Sequence, residues 1–156
     1  MSATTFTFRD MDGGSCDAIV SWRYEPPYDF YDLTADIDDL DEFLAESRWG
    51  EVLFAAYGPD GDLVGYTSLD RDGDVVEIGL GLRPDLTGRG LGLEFVEAII
   101  RFATERFRSP KFRMKVATFN QRAIRVYERA GFTAVREFVH HTNGGGWPFV
   151  EMTRPA

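Results

Sequence analysis

The sequence predicts an α/β fold in which a mixed sheet carries helices on both faces. Strand and helix patterns alternate along the chain, and this order lets each element bury one face against another layer. Two features carry the prediction. An apolar strand leads through a glycine-rich turn into a helix, and a short helix lies between two later strands.

The first third of the chain predicts one strand and two helices. The strand lies near Thr5–Arg9 and the first helix near Gly14–Trp22. An aromatic, proline-containing loop spans Tyr24–Leu33. The second helix includes Leu40 and runs to about Ser47, with acidic residues in its first half that suit the positive end of the helix dipole.

The middle of the chain predicts three strands joined by turns. Glu51–Tyr57 and Leu63–Leu69 flank Gly58–Gly61, whose composition indicates a hairpin turn. A turn at Asp72–Gly73 then leads into Val75–Leu82, where apolar and glycine residues indicate a buried strand.

The last third predicts a helix, a strand, a short helix and a hairpin. The first helix carries an apolar face made of Leu91, Phe95, Ile99 and Phe102. The strand shows alternating inward residues, which are Phe112, Met114, Val116 and Thr118. The C-terminal hairpin pairs Ala134–Thr142 with Trp147–Thr153 across the loop Asn143–Gly146.

The glycine-rich turn between strand and helix predicts an anion site. Gly88, Gly90 and Gly92 let backbone N–H groups approach a phosphate, and the helix N-terminus adds about half a positive charge. A dinucleotide fingerprint counted from Gly88 needs glycine at its sixth place, where Leu93 stands. A nucleoside-triphosphate loop needs a lysine at its end, and none is there. A plain tight turn remains the alternative.

A second motif lies downstream and narrows the choice. Asn120 suits a helix N-cap and Gly131 a left-handed C-cap, and an apolar stripe between them has helical spacing. The stretch Asn120–Phe132, together with the Gly90-Leu-Gly92 turn, resembles the GNAT N-acetyltransferase family. Thr87 departs from that family's pattern, which usually has arginine or glutamine there, and this removes one charged contact. The resemblance covers the chain from Leu53 to its end.

The resemblance implies one N-acetyltransferase domain over residues 1–156, with a mostly antiparallel sheet and a splayed central strand. It implies acetyl-CoA as the cofactor, whose pantetheine arm bonds backbone groups at the end of the Val75–Leu82 strand. Close approach of this ligand would also explain Gly79 and Gly81, because glycine normally weakens a strand interior. The cofactor contacts that it implies are Leu80, Gly81, Leu82, Gly88, Arg89, Gly90, Leu91, Gly92 and Asn120.

Two residues are candidates for acid–base chemistry in acetyl transfer. The resemblance implies that Tyr127 protonates the departing thiolate, and the alternative is that its ring only packs the short helix onto the sheet. Glu77 lies in an otherwise apolar strand, and burial makes a carboxylate a stronger base. It is the candidate base, acting through water, with a salt bridge or a solvent-facing edge position as the alternative.

The acceptor is expected to be a primary amine on a small molecule or peptide. The aromatic stretch from Trp22 to Asp32 falls where the family's variable substrate loop lies, and we expect Tyr24, Tyr28 and Tyr31 to contact the substrate. Aromatic faces beside carboxylates suit a cation. The alternative is that these rings complete the core.

Composition bounds the remaining expectations. The 156 residues carry a net charge of −9, which disfavours nucleic acid and favours cationic substrates. Arg83, Arg89 and Arg122 are local exceptions that face either phosphates or solvent. One cysteine, Cys16, excludes an intrachain disulfide and fits a cytoplasmic protein. No signal peptide, membrane partner or metal site is expected, and the C-terminal hairpin suits a homodimer.

A second class of function is a non-catalytic module that binds or senses acyl-CoA. Such a module would keep the glycine turn but need neither Tyr127 nor Glu77. The complete motif around Tyr127 favours the enzyme.

Overall fold

The computed structural model describes residues 6–108 and 110–156. In chain order the elements are β1 (Thr7–Asp10), α1 (Gly13–Val20), α2 (Ile37–Leu44), β2 (Leu53–Tyr57), β3 (Leu63–Asp72), β4 (Val75–Leu82), α3 (Gly92–Phe107), β5 (Lys111–Ala117), α4 (Gln121–Arg129), β6 (Thr133–Thr142) and β7 (Gly145–Arg154). No helix in this described part combines the length and apolar composition needed to cross a membrane.

The strands form one sheet in the order β1-β2-β3-β4-β5-β7-β6. Antiparallel pairing joins β1 to β2, β2 to β3, β5 to β7 and β6 to β7. Strands β4 and β5 run parallel. The predicted fold class, an α/β fold with a mixed and mostly antiparallel sheet, is confirmed.

The parallel pairing between β4 and β5 is short. It extends from Val75 opposite Lys111 to Glu77 opposite Arg113. Strand β4 continues to Leu82, whereas β5 pairs with β7 as far as Ala117. The parallel ladder therefore ends well before the end of β4, so the last residues of β4 need other hydrogen-bond partners.

The described part of the chain divides into two compact units, and the first comprises residues 6–68 and 80–87. Its core consists of Met11, Cys16, Ile19, Phe43, Leu53 and Ala55. Trp22 and Tyr66 pack against this core, so the alternative in which the aromatic stretch completes the core holds for Trp22. The expectation of a single domain stays a prediction.

The second unit comprises residues 69–79 and 88–156. Helix α3 is amphipathic and buries Phe95 and Ile99 completely. Helix α4 packs on α3, and a Cβ at Gly92 would be 3.4 Å from Val126 Cγ2, an ordinary van der Waals distance. The predicted cap of α4 is confirmed, because Asn120 accepts a hydrogen bond of 3.1 Å from the Ala123 N–H.

Several predicted boundaries were wrong: α1 ends at Val20 rather than near Trp22, and β3 continues to Asp72 rather than ending at Leu69. Helix α2 ends at Leu44 because Ala45 is extended, and a separate 3-10 turn follows at Glu46–Arg48. The C-terminal loop is not Asn143–Gly146 but a two-residue turn, with φ of 50° at Asn143 and 76° at Gly144. Asn-Gly favours such a turn because both of its residues tolerate positive φ, so β7 starts at once at Gly145.

Candidate functional site

The glycine-rich turn leads directly into helix α3. Gly88 has φ of 75° and Gly90 has φ of 79°, a left-handed conformation that favours glycine. A Cβ at Gly90 would meet nothing within 4 Å, so conformation rather than space requires glycine there. Successive turns of this kind expose backbone N–H groups on one concave side, which is how short loops hold anions.

The start of α3 adds positive charge to the same segment. Leu91 is the N-cap, and within the described chain no side chain caps this end of the helix. The first N–H groups of a helix have no intrahelical partner and carry the positive end of its dipole. The Arg122 Nη1 would lie 3.4 Å from a Cβ at Gly88, so a guanidinium stands beside the turn. These donors fit the phosphates of a CoA cofactor.

The end of β4 is shaped by an aromatic ring rather than by an empty slot. A Cβ at Gly81 would overlap the ring of Tyr66, with Cζ at 2.8 Å. The Tyr66 ring is itself held edge-on against Phe43 at 5.1 Å between centroids. Close approach of a ligand is therefore not needed to explain Gly81, which corrects the reason that the sequence suggested.

Two hydrogen bonds, one of them from a tyrosine side chain, hold the backbone at the end of β4. The Tyr24 hydroxyl donates to the Leu82 carbonyl at 2.6 Å, and the Arg83 N–H donates to the Val64 carbonyl at 2.8 Å. Burial raises the pKa of Tyr24 above its ordinary value, with smaller contributions from Tyr66 and Asp32. Burial also raises the pKa of Tyr66 to about 12. Both phenols are therefore protonated at neutral pH.

Arg83, a predicted phosphate contact, and Tyr31, a predicted substrate contact, have partners within the protein. The Arg83 guanidinium binds Asp85 at 2.6 Å and the Leu63 carbonyl at 2.9 Å. It therefore links the residues that follow β4 to the first residue of β3. Tyr28 and Tyr31 lie in a half-buried 3-10 turn. There Phe30 packs edge-on against Tyr31 at 5.2 Å.

The candidate acid Tyr127 is buried on α4 with 9% of its surface exposed. Its ring lies 6.3 Å from that of Phe132, and its carbonyl accepts a hydrogen bond of 3.0 Å from the Phe132 N–H. The packing alternative therefore has support. It does not compete with a catalytic role, because a packed ring also holds its hydroxyl oxygen in one position.

The candidate base Glu77 is not isolated in an apolar setting, which corrects that part of the prediction. Its carboxylate binds Arg113 Nε at 2.8 Å and Lys115 Nζ at 3.2 Å, and its side chain is 30% exposed. The salt-bridge alternative is confirmed. The apolar strand pattern hid it because both cations belong to β5, far away in the chain.

Sequence reasoning missed Tyr66. The signal was present, because counting outward from the turn at Gly73 pairs Tyr66 of β3 with Gly81 of β4. The Arg83 to Val64 hydrogen bond has this same register. A glycine opposite an aromatic residue in a hairpin is a known way to cover the bare backbone.

Comparisons with known proteins show what this chain and its fold are similar to. The profile of the acetyltransferase (GNAT) domain matches residues 7–133. A chimera of the Vibrio cholerae spermidine N-acetyltransferase SpeG and hSSAT superposes with a TM-score of 0.75 at 18% identity, covering 96% of this chain and 95% of that one.

Two further solved structures are similar. Vibrio cholerae spermidine N-acetyltransferase in complex with CoA and spermine has a TM-score of 0.73 at 17% identity, with coverage of 96% and 95%. A protein assigned as a phosphinothricin N-acetyltransferase has a TM-score of 0.71 at 17% identity, with coverage of 97% and 98%. Comparison with curated sequences gives no match.

Replacing Glu77 by glutamine tests the ion pairs. We expect E77Q to lower the free energy of unfolding by about 1 kcal/mol at neutral pH, because it weakens two charge-assisted contacts that are partly screened by solvent. The measurement is urea unfolding followed by circular dichroism. Glu97→Gln on the exposed face of α3 is the matched control, and equal stability of the two variants would contradict the prediction.

Proposed function

Because the chain belongs to the GNAT acetyltransferase family, and is thus an acetyl-CoA-dependent N-acetyltransferase, we propose that it acetylates a primary amine by direct attack within a ternary complex. The observation that carries the proposal is the glycine turn at Gly88–Gly92. It combines left-handed glycines, a helix N-terminus and the Arg122 guanidinium. A non-catalytic acyl-CoA module is not retained, because the family is one of enzymes.

The proposed cofactor contacts are mainly backbone groups. The strand end supplies Leu80, Gly81 and Leu82 to the pantetheine arm, and the turn supplies Gly88, Arg89, Gly90, Leu91 and Gly92 to the phosphates. Asn120 joins them as a polar contact in addition to its role as N-cap of α4. Backbone contacts of this kind depend on the conformation of the turn, which the positive φ angles of Gly88 and Gly90 determine.

The cofactor, when bound, supplies an acetyl thioester. The amine nitrogen must lose a proton before it can bond to the carbonyl carbon, and for a lysine-like amine this costs roughly 4–5 kcal/mol at pH 7. Glu77 is the proposed acceptor of that proton through water. Its ion pairs with Arg113 and Lys115 hold the carboxylate in one position.

Tyr127 is the proposed general acid. The carbon–sulfur bond breaks as the carbon–nitrogen bond forms, and the sulfur then needs a proton. A phenol is ordinarily protonated at neutral pH, so the Tyr127 hydroxyl can donate a proton as negative charge develops on the departing sulfur. The Tyr127 hydroxyl gives that proton and regains one from solvent, so the step is balanced.

The proposed acceptor is a cationic amine. The net charge of −9 draws cations toward the protein. The rings of Tyr24, Tyr28 and Tyr31 are the proposed acceptor contacts, with Asp29 and Asp32 beside them. Two similar structures carry names for polyamine acetylation and one for phosphinothricin acetylation, so these two kinds of amine are the first to compare.

The proposed assembly is a homodimer, and the proposed compartment is the cytoplasm. Strand β6 is at one end of the sheet, and Val135 and Val139 on it are 52% and 61% exposed. An exposed edge strand with apolar side chains is a template for another copy. The one cysteine, Cys16, is buried and suits a reducing compartment.

Replacing Tyr127 by phenylalanine tests the catalytic assignment. We expect Y127F to reduce thiol release about 100-fold with spermidine or phosphinothricin as acceptor, because one proton transfer is lost. Its dissociation constant for acetyl-CoA should be unchanged in calorimetry. Tyr57→Phe, which removes a hydroxyl from β2, is the control. Full turnover by Y127F would remove Tyr127 from the mechanism.

Replacing Val139 by lysine tests the homodimer. The wild-type chain of 17.6 kDa should elute at twice this mass in light scattering, and V139K should elute as a monomer because a charge is buried at the strand edge. Ile37→Lys on α2, which also changes an exposed apolar residue, should remain a dimer. A monomeric wild type would contradict the proposal.

A further inference from the structure

Both the backbone and the side chain of Tyr24 are hydrogen-bonded to other parts of the chain. Its backbone N–H donates to Asp32 Oδ1 at 2.9 Å, which closes the loop that follows it. Its hydroxyl donates to the Leu82 carbonyl at 2.6 Å, on the last residue of β4. The side chain thus joins the aromatic loop to a strand end that lies far away in the sequence.

The Leu82 carbonyl lies five residues beyond Glu77, the last residue of β4 in the parallel ladder with β5. The Leu82 carbonyl and the Arg83 N–H belong to one trans peptide group and point in opposite directions, and the Arg83 N–H points toward β3 because it donates to Val64. The Leu82 carbonyl therefore points to the other edge, where the ladder with β5 ended at Glu77. The Tyr24 hydroxyl supplies the hydrogen bond that a neighbouring strand would otherwise give.

The hydrogen bond from the Tyr24 hydroxyl to the Leu82 carbonyl is short and keeps its donor proton at physiological pH. Its length of 2.6 Å is at the short end for two oxygens. Burial raises the pKa of the Tyr24 phenol, so the hydroxyl stays a donor across the physiological range. The Tyr66 ring against Gly81 restrains the preceding residue from the side, so two tyrosines determine the conformation of this strand end.

We infer that Tyr24 is a positioning residue for the acetyl-CoA site, because its hydroxyl fixes the Leu82 peptide group and with it the backbone of Leu80–Leu82. The inference rests on the proposed function, in which that backbone bonds the pantetheine arm. A strand end held in one conformation binds without having to be ordered first, and ordering costs affinity. Tyr24 does so without touching the reacting atoms.

A second role follows from where Tyr24 lies. It begins the aromatic loop that is proposed to contact the acceptor, so a ligand that orders this loop also orders the strand end. Coupling of this kind is reciprocal, because each ligand then changes the affinity for the other by the same factor. Removing the Tyr24 hydroxyl should abolish the coupling between the two ligands and also weaken the binding of acetyl-CoA.

The test is Tyr24→Phe, which deletes the hydroxyl and keeps the ring. We expect calorimetry to show acetyl-CoA binding weakened about tenfold, as for the loss of one buried hydrogen bond. We expect the KM for acetyl-CoA to rise while kcat changes little. Tyr57→Phe is the matched control, since it deletes the hydroxyl of another half-buried tyrosine and should bind as the wild type does.

A merely structural role predicts a different result. Y24F would then unfold at a lower temperature yet bind acetyl-CoA with wild-type affinity at 25 °C, and this outcome overturns the inference. If the wild type itself does not bind acetyl-CoA, the proposed function fails first and the inference fails with it. Tight binding by the wild type and equally tight binding by Y24F overturns the inference alone.

Asp32→Ala provides a second variant that leaves Tyr24 intact. It removes the acceptor of the Tyr24 N–H and loosens the loop from its other end. We expect D32A to weaken acetyl-CoA binding in the same direction as Y24F but by a smaller factor, so it decides the matter if Y24F does not fold. Unchanged binding by D32A and by Y24F would contradict the positioning role.

Discussion

The early end of the β4–β5 ladder is the constraint on which the rest of the structure depends. Parallel pairing stops at Glu77 and Arg113, yet β4 continues to Leu82. Buried backbone groups must be hydrogen-bonded, so the end of this strand has to find partners elsewhere. The Tyr24 hydroxyl provides one, and the proposed cofactor contacts at Leu80–Leu82 would provide others.

The glycine turn that follows β4 offers a way for an acidic protein to bind an anionic cofactor. The net charge of −9 repels phosphate at long range. In the proposed site, binding depends on local donors in the turn, where the N-terminus of α3 and Arg122 act at short range and need no favourable global field. The same net charge would attract the proposed cationic acceptor. The two ligands thus use different ranges of electrostatic interaction.

The sequence predicted those features whose causes are local. The bounds of β4 and the capped helix from Asn120 to Gly131 follow from apolar runs and cap residues, and both agree with the structure. The partners of Tyr24 and Glu77 did not follow, because they depend on which residues of distant strands come into register. For the same reason Gly81 was assigned to ligand approach when the Tyr66 ring explains it.

Amide hydrogen exchange with and without acetyl-CoA tests the central claim most directly, because it observes backbone groups one segment at a time. The account predicts slower exchange in the presence of acetyl-CoA over Leu80–Leu82 and Gly88–Gly92, with no change at the distant turn Asn143–Gly144. Protection that appears only elsewhere, or no protection at all, would contradict the claim that the β4 end and the glycine turn hold the cofactor.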